Sequence, residues 1–193
     1  MTNRREFLKA ATALSAVPLM GGSPFAIGRE PVTLDAVIFD LRHPDARTFA
    51  ACADQLGAPC REIEGDVTNL WQDELRSHWQ AAPAAIAGLT ERPALFLLER
   101  LAWDHGLRVV FAAEHAPDGR GYVAHRIIRT TDAGLAQELE AAGWRWPRVL
   151  ADIMIAGPRV TTRDFRPTDT SMAAYPGEPA KLYSWIIAPR TAA

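Results

Sequence analysis

The sequence predicts one mixed-sheet α/β domain, and three observations lead there. Residues 32–40 form a β-branched, largely apolar run suited to a buried central strand. Helix-like and strand-like segments then alternate as far as Gly106. Beyond them, two strand-like runs flank Ala116-Pro117-Asp118-Gly119-Arg120-Gly121, which reads as a late antiparallel hairpin.

The elements follow in order. Asp45 to Leu56 carries Phe49, Cys52, Ala53 and Leu56 at helical spacing and is stopped by Gly57 and Pro59. A short strand, Arg61 to Glu64, leads to a second helix from Val67 to Gln80. Its apolar stripe includes Leu70, Trp71, Leu75, His78 and Trp79, so His78 is expected in the core. Ala84 to Gly88 suits a short strand, and Thr90 suits the N-cap of a helix that starts with Glu91, Arg92 and Pro93 and ends at Gly106. Leu107 to Glu114 and Tyr122 to Arg129 are the hairpin strands. Asp132 to Ala142 is helical, Val149 to Ile155 has helical spacing, and Leu182 to Ala188 is a terminal strand. The stretch 157–180, rich in Pro, Thr, Gly and Asp, is expected to be an irregular wrapping segment.

Composition excludes several classes. The 193 residues carry a net charge of −2, with 48% hydrophobic and 23% charged residues, as in an ordinary globular domain. Of 21 basic residues only Lys9 and Lys181 are lysine, and the body of the chain has no basic cluster. A broad nucleic-acid-binding surface therefore lacks its electrostatic footprint.

The N-terminus has a character of its own. Arg4-Arg5 is followed by Phe7, Leu8 and Lys9, then by the weakly apolar run Ala10 to Met20 and the turn-prone Gly21-Gly22-Ser23-Pro24. This leader resembles a bacterial twin-arginine (Tat) export signal. The resemblance covers residues 1–28 and implies passage through the Tat translocase to the periplasm. It also implies that a partner, such as an exported oxidoreductase, could travel or work with the protein. The apolar run falls short of the ~20 residues that span a bilayer, so no membrane span is expected after processing. Cleavage after Gly28 would leave a single domain, 29–193, and loss of Arg4, Arg5, Lys9 and Glu6 would take the net charge from −2 to −4. After export, Cys52 and Cys60 could pair across a short turn or remain two buried thiols.

In open α/β sheets, ligands gather where strands end and helices begin. Those positions hold Asp40, Arg42 and His43 after the first strand, Asp66 and Thr68 after the second, Thr90 after the third, and His115 after the fourth. Arg42 could clamp an anion, with His43 as acid or base. Helix capping by Asp45, Asp66 and Thr90, and pairing of Asp40 with an arginine, explain the same residues without a ligand. The glycine fingerprint of a dinucleotide site is absent, and no cofactor is expected. The five histidines are scattered without metal-ligand spacing, so no metal is expected either. No Gly-x-Ser-x-Gly elbow occurs. If His115 faced Tyr122 across the hairpin, Glu114 and His125 would share a face and could form an acid/base pair. Trp71, Trp79 and Trp103 read as helix packing. Trp144 and Trp146 fall in a loop, where they could line a pocket or anchor a partner. The leading expectation is an exported periplasmic protein without catalytic activity, either a small-ligand binder or an accessory partner of an exported redox system. The alternative is a cofactor-independent hydrolase, isomerase or lyase using Glu114 and His125.

Overall fold

The computed structural model describes residues 33–129, 134–155 and 180–189. The leader (1–28) and residues 157–179 of the expected irregular segment lie outside the described residues. Strands β1 (Leu34–Asp40), β2 (Cys60–Ile63), β3 (Ala85–Thr90), β4 (Leu107–Pro117), β5 (Val123–Arg129) and β6 (Leu182–Pro189) form one sheet in the order β2-β1-β3-β6-β4-β5. β1, β2 and β3 run parallel, β6 runs antiparallel between β3 and β4, and β5 pairs antiparallel with β4. The sheet is mixed and has helices packed on it, so the α/β class read from the sequence holds.

Each face has its own apolar core. Val37, Ala87, Leu89, Phe111 and Ile186 face α1 (Pro44–Gln55), α5 (Leu135–Ala142) and α6 (Trp146–Ile155). Ile38, Ile86, Val109, Trp185 and Ile187 face the helices that precede β3, together with α4 (Arg92–Asp104). A bulge in β4 turns the neighbours Val110 and Phe111 to the same core. Gly88 in β3 lets the Trp185 ring lie against the strand: a Cβ there would come within 2.4 Å of the indole and 2.6 Å of the Ile38 carbonyl oxygen.

The structure corrects several local expectations. The second predicted helix is α2 (Thr68–Leu70), a π-helical turn (Trp71–Leu75) and α3 (Arg76–Ala81). His78 is exposed, not in the core, and lies 3.5 Å from Asp35. Trp103 is likewise exposed, under the Arg100 guanidinium. Thr90 ends β3 rather than capping a helix, because β3 continues to it in pairing with Tyr183; Glu91 takes the N-cap. Trp146 is not in a loop. A single 3-10 turn, Gly143–Arg145, connects α5 to α6, and Trp146 opens α6 with its ring buried. Cys52 and Cys60 are both free; the Cys60 thiol lies 3.4 Å from the Ala50 carbonyl oxygen, and burial pushes its pKa up.

Candidate functional site

β1 and β3 lie side by side, yet the chain leaves them toward opposite faces, into α1 and α4 respectively. In open α/β sheets such a divergence, at the carboxyl ends of the two strands, is where ligand-binding crevices form. Asp40, wholly buried, ends β1 there. Just beyond it the chain turns back, with His43 N–H donating to the Asp40 carbonyl at 3.1 Å. That turn brings the Arg42 guanidinium onto the carboxylate, Nε to Oδ1 at 2.9 Å and Nη2 to Oδ2 at 2.6 Å. Burial would push the Asp40 carboxyl up, but the Arg42 hydrogen bonds and charge outweigh it and hold the group below its ordinary range. Those same bonds to Asp40 push the guanidinium pKa up and fix its charge.

Two helix starts complete the cluster. His43 is the N-cap of α1, followed by Pro44, and Glu91 is the N-cap of α4, with Pro93 in its first turn. His43 Nε2 donates to Glu91 Oε1 at 2.9 Å and lies 3.8 Å from Asp40 Oδ2, while Arg42 Nη2 reaches the same Glu91 oxygen at 3.1 Å. Gly65 seats the arginine: its φ is +85°, and a Cβ there would come within 2.5 Å of Arg42 Cζ. Asp40, Arg42 and His43 are thus brought together as expected of strand-end residues. Glu91, in sequence an ordinary helix-start residue, joins them from 48 positions farther along the chain than His43. Its position directly after a buried strand was the available signal. The cluster Asp40, His43 and Glu91 presents one ligand atom each, all within 4.8 Å of one another, a donor set that no local spacing rule would detect.

The other strand-end candidates are occupied locally. Asp66 Oδ1 accepts from Thr68 N at 2.9 Å and Thr68 Oγ1 at 2.6 Å, bonds that lower its pKa and close the turn next to Gly65. Thr90 Oγ1 accepts from Trp185 Nε1 at 3.0 Å inside the core.

The hairpin is corrected in register. Asp118 closes it: its N–H donates to the Tyr122 carbonyl at 2.9 Å, while its carboxylate accepts from Arg120 and Tyr122 N–H. The strands therefore extend to Pro117 and restart at Val123, and His115 faces His125 rather than Tyr122. This offset is odd, and in a pleated strand an odd offset moves side chains to the other face. Glu114 and His125 consequently lie on opposite faces and form no pair. Glu114 accepts from Arg126 Nη2 at 2.6 Å and from the Tyr183 hydroxyl at 3.0 Å. Burial, reinforced by Glu114, pushes Tyr183 up to about 12.

On the opposite face, three adjacent strands carry a buried polar chain. His115 Nε2 lies 2.8 Å from Ser184 Oγ, and His115 Nδ1 lies 2.7 Å from His125 Nδ1. Trp146 stacks on His115 with ring centroids 4.5 Å apart. Burial pushes His115 down to about 3, aided by His125, and burial pushes His125 down to about 4. Both rings are neutral at pH 7, so one Nδ1 donates and the other accepts. Trp144 points away, 87% exposed, and does not share a pocket with Trp146.

Comparison with known proteins gives no family model, no curated protein and no solved structure that matches the chain.

Proposed function

We propose that this chain is an exported periplasmic α/β protein that holds a small ligand in the crevice between the carboxyl ends of β1 and β3. The observation that carries this reading is the convergence there of Asp40, Arg42, His43 and Glu91, charged groups gathered at the point where the chain diverges to opposite faces of the sheet. The leader with Arg4-Arg5, Phe7, Leu8 and Lys9 supports the export half of the proposal. Arg42 is engaged on its Asp40 edge but remains 44% exposed, so a ligand would meet its outer edge together with His43. The opposed faces of Glu114 and His125 remove the basis for an enzyme built on that pair.

Native mass spectrometry of protein recovered from the periplasm tests the reading. A small molecule retained by the wild type and lost in His43→Ala is expected. A bare chain recovered from the periplasm, with no small molecule that stabilises it in a thermal-shift screen, refutes ligand binding. The exposed Trp144 favours a second reading, an accessory partner of an exported oxidoreductase. Co-purification of such an enzyme that Trp144→Ala abolishes would support it.

A further inference from the structure

The geometry points to a divalent metal site of the zinc class formed by Asp40 Oδ2, His43 Nε2 and Glu91 Oε1, in which the Arg42 guanidinium is the protein's own placeholder for the ion. The inference rests on the crevice being a ligand site and names what it takes. Ligand atoms around a tetrahedral ion with bonds of about 2.1 Å stand roughly 3.4 Å apart. Here His43 Nε2 is 2.9 Å from the Glu91 oxygen and 3.8 Å from the Asp40 oxygen, on either side of that spacing. Arg42 Nη2 touches both carboxylates, at 2.6 Å and 3.1 Å, as a cation between two anionic donors.

The two kinds of group differ in freedom. Asp40 is fully buried at the end of a central strand, whereas Arg42 is a long side chain reaching solvent, seated on Gly65 without a side chain to trap it. An incoming ion would displace the arginine and keep the carboxylate. The proton that His43 Nε2 donates to Glu91 would pass to Nδ1, leaving Nε2 free as a ligand. An imidazole with two carboxylates favours zinc or cobalt over calcium or magnesium. Three protein ligands leave a fourth position open, and the displaced Arg42 would stand beside it as a partner for an anionic group on the bound molecule.

The test uses metal-free full-length mature protein titrated with Zn²⁺ by calorimetry and with Co²⁺ by visible absorption. The wild type is expected to bind one ion with a tetrahedral cobalt spectrum, and His43→Ala to weaken binding at least tenfold. Arg42→Gln is expected to bind zinc more tightly than the wild type, because the competitor is gone. This variant leaves Asp40 without its counter-charge, so its melting temperature should fall and be restored by Zn²⁺. No binding by either wild type or R42Q, or binding that His43→Ala leaves unchanged, overturns the metal site. An organic ligand retained in a His43-dependent way without metal would overturn the metal inference while leaving the crevice reading intact.

Discussion

Lowering the pH from 7 to 5 should cost this protein about 4 kcal/mol of stability through two side chains, His115 and His125, at about 2 kcal/mol each from their depressed pKa values. His115 and His125 are 1% and 7% exposed, and burial holds them at about 3 and about 4. In the unfolded chain both return to about 6.5. Between those values the unfolded state binds two protons that the native state does not, so stability is fully present above the unfolded pKa and falls as the pH drops toward the folded ones. Near pH 5 the slope is about 2.7 kcal/mol per pH unit for two protons and about 1.4 for one. Urea unfolding followed by tryptophan fluorescence at pH 7.0, 6.0, 5.5 and 5.0 measures it. The variant is His125→Asn, whose amide nitrogen takes the place of Nδ1; its slope should be about half that of the wild type. Asp45 and Glu99, carboxyls raised by burial, act in the opposite sense at the acid end, and the comparison of slopes cancels them. Equal slopes for wild type and H125N would sink the argument, because the extra protons would then belong to other groups.

Three further outcomes follow from individual contacts. Gly88→Ala forces a Cβ against both the Trp185 ring and the Ile38 carbonyl, and since backbone cannot yield cheaply the cost should reach about 3 kcal/mol, measured as a fall in melting temperature. Thr90→Val keeps the shape but strands the Trp185 indole N–H in the core, a loss of about 1–3 kcal/mol read by urea unfolding; unchanged stability would mean that this bond is not needed. In a spectrophotometric titration one tyrosine should ionise last, near pH 12, and Tyr183→Phe should remove that late phase.

The legible parts of the fold were those encoded by apolar periodicity. β1, α1, α4 and β6 emerge from the sequence because their buried residues recur at strand or helix spacing, and the β1 end residues follow from the general place of sites in such sheets. What stayed hidden depended on pairing across the chain. The hairpin register turns on one carboxylate, Asp118, that caps its own loop, and a shift of three residues there exchanges the partners of His115 and Glu114. Ser184 and Tyr183 come from β6, which is inserted between β3 and β4 with no local mark of that placement. Glu91 read as an ordinary first-turn acid, and only the parallel pairing of β1 with β3 brings it to His43. Trp146 reads as a loop residue because it lies between two helical stretches, whereas their connection is a single turn, Gly143–Arg145, and Trp146 opens the second helix.

The two polar centres, one at the carboxyl ends of β1 and β3 and the other buried under Trp146 of α6, should fail in acid at different pH. Asp40 has a folded pKa below its ordinary 3.8, so its ion pair with Arg42 contributes stability above the unfolded value and is lost only as the pH falls through the lower, folded one. The neutral His115–His125 chain has already begun to lose its contribution below about pH 6.5. Between pH 6 and pH 4, then, the packing of β5 and α6 around the two buried histidines weakens while the Asp40–Arg42 ion pair keeps its charges. Hydrogen exchange read as protection relative to each amide's intrinsic rate should show this order: at pH 5 the amides of Val123–Arg129 and Trp146–Ile155 lose protection before those of Leu34–Asp40 and Ala85–Thr90. A uniform loss across all four segments would mean that the sheet transmits the histidine penalty to the whole domain at once, and the crevice would then share the acid sensitivity of the buried pair.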